Sequence, residues 1–319
     1  MADTGKVLVV GANGQLGVEL TDALIKKYGE DRVIPSDITP SSWRNFIKLD
    51  ILDIDQLRAI VQERQIQEVY LLAALLSARG EKYPMLAWQI NMDGLLNVLE
   101  LAREGRIRKI FWPSSIAVFG TITPKINTPQ ETITSPDTMY GITKLAGERL
   151  CVYYAKKFQI DVRSLRYPGL IGYRALPGGG TTDYAVEIFH KAVAGEQYTC
   201  FLAAHTRLPF LYMPDAVRAT LEIMHAPVGQ ISVRSSYNIA GFSATPAEMA
   251  AAIGQHIPAF SIEYEPDFRQ QIADSWPESI DARTAQGDWG WQPQYGLEKM
   301  AQEMIQNLKS ASPVNQPIG

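Results

Sequence analysis

Residues Lys6 to Val10, KVLVV, form a continuous apolar run that stops at a glycine, and a helical pattern begins almost at once. Leu16, Leu20, Ala23 and Leu24 recur on one face of that helix, Lys26 and Lys27 fall in its last turn, and Gly29 is placed to cap it. A strand that is apolar at every position, rather than at alternate ones, buries both of its faces. A parallel sheet with helices packed on either side does that, so this opening strand, loop and helix constrain the rest of the chain.

The alternation continues. Strands are expected at 32–37 (RVIPSD), 45–50 (NFIKLD), 68–74 (EVYLLAA), 109–115 (KIFWPSS) and 161–167 (DVRSLRY), with helices at 55–65, 84–105 and 140–158. Pro84 stands where a proline opens a helix. Strands separated by helices of this length predict an α/β fold, a doubly wound parallel sheet with right-handed crossovers. After Tyr167 the texture changes to glycine and proline clusters with shorter periodic segments. We place a boundary there, with residues 1–168 as the sheet domain and 169–319 as a smaller α/β unit, some of whose segments return to the sheet. In that unit TPAEMAAAI opens a helix, with Thr245 as N-cap, Pro246 in the first turn and Glu248 completing a capping box. Only the tail after Lys309 reads as loose.

Composition narrows the partners. Thirty basic residues against 34 acidic ones leave a formal charge of -4 without long runs of one sign, so nucleic acid and anionic membrane surfaces are not expected partners, and a small molecule is. Cys151 and Cys200 cannot build a disulfide framework and read as buried thiols. His190, His205, His225 and His256 lack metal-ligand spacing, so no metal is expected. The apolar run near the N-terminus is too short for a signal peptide or a membrane span, which predicts a cytoplasmic protein.

Between the first strand and helix lies GANGQLG, Gly11 to Gly17. Gly11 permits a tight turn, Gly14 lets backbone amides approach a pyrophosphate, and Gly17 allows the helix to pack closely on the strand, with Asn13, Gln15 and Leu16 between them. The helix N-terminus adds the positive end of a dipole. Asp37 ends the second strand, 20 residues beyond Gly17, where a carboxylate accepts from both adenosine ribose hydroxyls and repels a 2'-phosphate. The expected cofactor is therefore NAD rather than NADP, with a solvated turn aspartate as the plainer account of Asp37. No Gly-Lys-Ser or Gly-Lys-Thr closes the loop, which excludes a nucleoside triphosphate site of the phosphate-loop kind.

Farther on, MYGITKLAGE sets Tyr140 and Lys144 four apart on one helix face. A phenol is a poor base at neutral pH and needs a neighbouring cation to stabilise its anion, which Lys144 can supply. The same spacing also suits an ordinary half-buried tyrosine beside a surface lysine.

Taken in order, GANGQLG, PSSIAVFG and YGITK resemble the short-chain dehydrogenase/reductase superfamily in its extended, epimerase-like branch, across essentially the whole chain. The resemblance implies a Rossmann sheet, Tyr140 as general base, Lys144 as the residue that tunes it and binds the nicotinamide ribose, and Ser115 as the group that orients the substrate hydroxyl. It further implies Asp50 and Ile51 along the adenine, and Leu72, Ala73, Ala74 and Leu75 beside the adenosine and pyrophosphate. Tyr167 falls among the cofactor contacts, and Asn91 resembles the asparagine that organises a proton-relay water.

The nucleotide-sugar members of that branch tend to carry an asparagine after the arginine-tyrosine of the sixth strand, where this chain has Pro168 and Gly169. The run from RYPGLIGYRALPGGGTTDYAVEIFHKAV to ADSWPESID is instead similar to the epimerase-like L-threonine 3-dehydrogenases, which use NAD and no metal. That likeness implies oxidation of the C3 hydroxyl of L-threonine to 2-amino-3-ketobutyrate, with Ser77, Gly178, Thr181 and Trp276 joining Ser115 and Tyr140 as substrate contacts. A zwitterionic substrate needs donors for its carboxylate and an acceptor for its ammonium, and the helix start at GGGTTDYAV offers glycine amides close by. Thr181 or Thr182 can instead simply cap that helix, and Trp276 can be a packing anchor. Arg174 and Arg207 have the chemistry to pair with a carboxylate, but arginines outside a motif mostly sit on solvated surfaces, and neither is counted among the expected site residues. A homodimer is implied through the helix from Pro84 and the helix bearing Tyr140. A nucleotide-sugar epimerase, dehydratase or reductase and a cofactor-binding regulatory protein remain the competing readings.

Overall fold

The computed structural model describes residues 5–311. Its first half runs β1 (Lys6–Val10), α1 (Gln15–Tyr28), β2 (Val33–Asp37), β3 (Ile47–Lys48), α2 (Ile54–Glu63), β4 (Ile66–Leu71), α3 (Ser77–Lys82), α4 (Pro84–Trp88), α5 (Gly94–Arg103), β5 (Lys109–Phe111), β6 (Ser114–Ser115), α6 (Met139–Phe158) and β7 (Asp161–Arg163). A six-stranded sheet has the order β3-β2-β1-β4-β5-β7, every pairing parallel. The chain goes one way from β1 and then the other way from β4, so the order reverses between them. That reversal opens a crevice at the carboxyl ends of the two strands, the usual place for a ligand in such a sheet.

The unbroken apolar run of β1 is explained by what covers it. Val7 and Val9 pack with Leu20 and Leu24 of α1, while Leu8 and Val10 pack on the other face with Leu57, Leu95 and Leu99. All four strand residues are essentially sealed from solvent, and each such aliphatic side chain contributes about 1.5–3 kcal/mol.

Two expected strands and one expected helix are interrupted. The strand expected at 109–115 breaks before Pro113, which has no amide to donate to a ladder. The strand expected at 161–167 divides at Ser164: β7 stays in the main sheet, and β8 (Leu165–Tyr167) joins β6 instead. The helix expected over 84–105 contains a π-helical turn, Gln89–Asp93, between α4 and α5. Asn91 within it turns its amide back to the chain after β4, accepting from the Leu75 amide at 2.8 Å and donating to the Leu75 carbonyl at 3.2 Å. Isolated π turns commonly mark such local re-aiming of a side chain.

Beyond β8 the chain forms β9 (Gly169–Ile171), α7 (Tyr184–Val193), β10 (Tyr198–Cys200), β11 (Leu208–Tyr212), α8 (Met213–His225), β12 (Tyr237–Asn238), β13 (Phe242–Ala244), α9 (Pro246–Gly254), β14 (Ile262–Tyr264), α10 (Arg269–Ser275), α11 (Arg283–Trp289) and α12 (Leu297–Ala311). Small sheets β12-β8-β6, β13-β11-β9 and β10-β14 replace a second large one. Of the strands after residue 168, β12 pairs with β8 in a small sheet outside the six-stranded one, while Ala219 and Ile223 of α8 share a core with α1. A separate core gathers Phe189, Met249 and Met304 from α7, α9 and α12 around Phe119. The capping box of Thr245 and Glu248 forms as expected, and both cysteines are free and buried. α12 continues through Lys309 to Ala311, and the rest of the tail expected to be loose lies outside the described residues.

Candidate active site

A cavity of about 400 Å³ runs along the crevice from the glycine loop to the segment before α7. At its first end Gly11 has φ +91°, and a Cβ there would lie 2.7 Å from the Ala73 amide nitrogen. A Cβ on Gly17 would lie 2.1 Å from the Gly11 carbonyl oxygen, so the helix can sit this close to the strand only with glycine. Gly14 differs, because its nearest neighbour would be 3.4 Å away and its backbone is ordinary extended. Among the described residues nothing requires glycine at 14, which leaves room for something outside the chain. Among the described residues no side chain caps α1, whose first-turn amides have no acceptor in the helix, and the buried Gln15 Nε2 has no hydrogen-bond partner. Uncapped amides, a spare donor and an open backbone suit the pyrophosphate of a dinucleotide.

Asn13, Gly14, Gln15, Leu16, Leu72 and Ala74 face this part of the cavity. Asp37, Asp50, Ile51, Ala73, Leu75 and Asn91 are not in its wall. Asp37 accepts from the Asn13 amide at 3.1 Å, from the Thr39 amide at 3.1 Å and from the Thr39 hydroxyl at 2.9 Å, so it closes a turn and steadies the glycine loop together. Asp50 accepts from the Leu52 amide, and Ile51 packs beside Gly94. Asn91 also donates to the Thr143 hydroxyl at 3.0 Å, tying the π turn to α6.

In the middle of the cavity, Tyr140 and Lys144 of α6 meet Ser115 of β6. The Thr138 hydroxyl accepts from the Gly141 amide at 3.0 Å and starts α6, so Tyr140 lies in its first turn. Burial pushes the Tyr140 phenol up to about 12, and a hydrogen bond with the Ser115 hydroxyl acts in the opposite direction. Lys144 is 2% exposed, and that burial brings its ammonium down to about 7. Its Nζ donates to the Pro113 carbonyl at 2.6 Å and lies 5.5 Å from the Tyr140 ring centre. Tyr167 closes this part of the wall, its hydroxyl directed away to Thr220 of α8.

Beneath these residues is a buried ionic network that the sequence reading missed. Arg166 bonds both carboxylate oxygens of Glu148, at 2.9 and 2.8 Å, and the Ser114 hydroxyl donates to the same carboxylate at 2.7 Å. Arg166 also reaches the Gln130 carbonyl and Asn238. Its components adjoin the site in sequence: Ser114 precedes Ser115, Arg166 precedes Tyr167, and Glu148 follows Lys144 by one turn. The spacing of 140, 144 and 148 on one helix face was the available signal.

At the far end the Ser77 and Thr181 hydroxyls are 3.0 Å apart, and the Thr181 amide donates to Ser77 at 3.1 Å. Neither Thr181 nor Thr182 caps α7; the N-cap position belongs to Asp183. The Asp183 carboxylate reaches back and accepts from the Gly179 and Gly180 amides at 2.8 and 2.7 Å. Those amides, expected to be free for a substrate carboxylate, are therefore occupied by a side chain, because a glycine turn this tight satisfies its own donors locally. Gly178 and Trp276 complete the wall, and Trp276, 5% exposed, also packs in the α7 core, so wall and anchor are one residue. Arg174 pairs with Asp22 and Glu19, and Arg207 with Glu248 at 2.5 Å; neither is in the wall. Among the described residues no helix is long and apolar enough to cross a membrane.

The model of the NAD dependent epimerase/dehydratase family matches residues 7–240. An uncharacterized epimerase/dehydratase of Staphylococcus aureus (strain USA300) is 43% identical over 316 residues, covering 97% of this chain and 98% of its own length. A GalE-like L-threonine dehydrogenase from Cupriavidus necator, solved in a holo form, superposes with a TM-score of 0.94 at 55% identity, covering 95% of this chain and 100% of that one. An L-threonine dehydrogenase from Clostridium difficile has a TM-score of 0.93 at 43% identity, covering 96% of this chain and 98% of that one.

Proposed function

The chain belongs to the NAD dependent epimerase/dehydratase family and is an enzyme of that superfamily, and from this premise we propose that it oxidises the C3 hydroxyl of L-threonine to 2-amino-3-ketobutyrate. NAD, when bound, supplies the hydride acceptor. Gly11 to Gly17 and the α1 N-terminus would hold its pyrophosphate, and Asp37, beside that loop, would take its adenosine ribose.

The remaining work falls to the chain itself. Tyr140 takes the hydroxyl proton, with Ser115 holding the oxygen within hydrogen-bond reach of the phenol. A phenol pushed up to about 12 holds its own proton at physiological pH, so Tyr140 accepts the substrate proton as the phenolate, after losing its own to solvent, and positive charge nearby is needed to stabilise that anion. Lys144 is the cation of the cavity wall, and its Nζ is directed past the Tyr140 ring by the Pro113 carbonyl. Ser77, Gly178, Thr181 and Trp276 bound a small compartment beyond Tyr140, and residues from 169 onward supply most of it, which is why we divide the chain near 168. We assign the homodimer to α4 and α6, from which Met85 (69% exposed) and Tyr153 (47% exposed) project apolar surface to solvent.

The observation that carries this reading is the meeting of Tyr140, Ser115 and Lys144 at the mouth of that compartment. Solved neighbours at 55% and 43% identity named as L-threonine dehydrogenases support the choice of substrate. The test is NADH formation from L-threonine, L-serine, allo-threonine and nucleotide sugars under one condition. L-Threonine gives the highest kcat/KM if the reading holds; turnover of a nucleotide sugar in its place refutes it.

A further inference from the structure

We propose that Asp183 is the residue that recognises the ammonium group of the substrate, and so selects an amino acid over the corresponding hydroxy acid. This rests on the L-threonine reading and adds to it the group that sets specificity. Among the residues of the cavity wall, Asp183 is the one carboxylate and Lys144 the one basic side chain. The Asp183 residue is 8% exposed, yet it faces the cavity.

Its two oxygens are used differently. Both glycine amides donate to Oδ2, from Gly179 at 2.8 Å and from Gly180 at 2.7 Å. Oδ1 has no hydrogen-bond partner among the described residues and is not sealed within the protein. One oxygen is thus fixed by the backbone, and the other is an acceptor held in place without a donor. Burial raises the carboxyl to about 6, so the group is ionised at neutral pH while a cation beside it gains from the poor solvation. Trp276 in the same wall is an aromatic residue suited to a cation, and of the Ser77 and Thr181 hydroxyls, which bond each other, one proton is left to donate to a carboxylate. The glycines serve this arrangement directly, because the amides of 179 and 180 orient the carboxylate instead of the substrate.

Asp183→Asn tests it, since the amide oxygen can still accept from both glycines while the charge is gone. L-Threonine and 3-hydroxybutyrate, which has the same hydroxyl and carboxylate but no ammonium, are compared as substrates, or as competitors where turnover is slow. The expected result is a rise of about 10- to 100-fold in KM for L-threonine, the loss of one charged hydrogen bond, with 3-hydroxybutyrate changed less than about threefold. Asp183→Glu, which keeps the charge, retains preference for L-threonine and shows that the site still forms. Equal losses for both compounds in Asp183→Asn make the residue a backbone brace only and overturn the proposal, as does an unchanged KM for L-threonine. Absence of L-threonine turnover in the unaltered enzyme is a different outcome, and it overturns the proposed function itself.

Discussion

Replacing Lys144 by methionine separates what this site costs from what it does. The ammonium is buried, and its pKa falls from the ordinary 10.5 to about 7. Each displacement of one in pKa corresponds to about 1.4 kcal/mol, so the folded protein is penalised by roughly 5 kcal/mol below pH 7. The sign follows from the direction of the shift. Between pH 7 and 10.5 the unfolded chain binds more protons at this residue than the folded one, so stability from this source rises with pH. The penalty is full below about 7 and shrinks to about 1 kcal/mol near pH 10. Methionine keeps the stem against Trp112, where Nζ lies 4.6 Å from the ring centre, and removes the charge. It also leaves the Pro113 carbonyl without its donor, which returns about 1–3 kcal/mol of the gain. Lys144→Met without cofactor is therefore expected to be more stable than the parent by about 2–4 kcal/mol at pH 6 but equal to it or less stable by up to about 2 kcal/mol at pH 10, while dehydrogenase activity collapses. Urea denaturation of both proteins at the two pH values reads this directly. A variant less stable at pH 6, or a stability difference independent of pH, refutes the reasoning.

Tyr140→Phe should lower kcat by about 10²–10⁴ with NAD affinity nearly unchanged, measured by steady-state kinetics and fluorescence titration; comparable turnover would remove the tyrosine from its role as base. Asp37→Ala should weaken NAD more than NADP in paired titrations, and an unaltered preference would leave Asp37 as a turn and loop brace. Glu148→Gln uncouples a buried arginine from its counter-charge and should cost about 3–5 kcal/mol in denaturant melts; a loss below about 1 kcal/mol would mean that Gln130 and Asn238 satisfy Arg166 unaided.

Periodicity and turn chemistry carried the sequence reading far. The apolar run at 6–10, the loop glycines 11, 14 and 17, and the tyrosine and lysine four apart are all local patterns, and each appears where expected. The misses are of another kind. Ser164 looks like any strand residue, yet it divides two sheets, because pairing partners rather than propensity decide where a ladder ends. Gln89–Asp93 reads as plain helix, and it is wound into a π turn by contacts of Asn91 with Leu75 and Thr143.

By itself the sequence determined the alternation of strands and helices, the glycine loop and the order of reactive residues, since these follow from side-chain period and backbone freedom over a few positions. Only the tertiary structure decided which donors are spoken for. GGGTTD reads as a run of free amides, but two of them belong to Oδ2 of Asp183, a residue of the cavity wall. Glu148 and Arg166, 18 residues apart, become a buried pair beneath Tyr140 and Lys144. Hydrogen-bond satisfaction in a buried site depends on chain segments brought together from afar, and no local pattern records it.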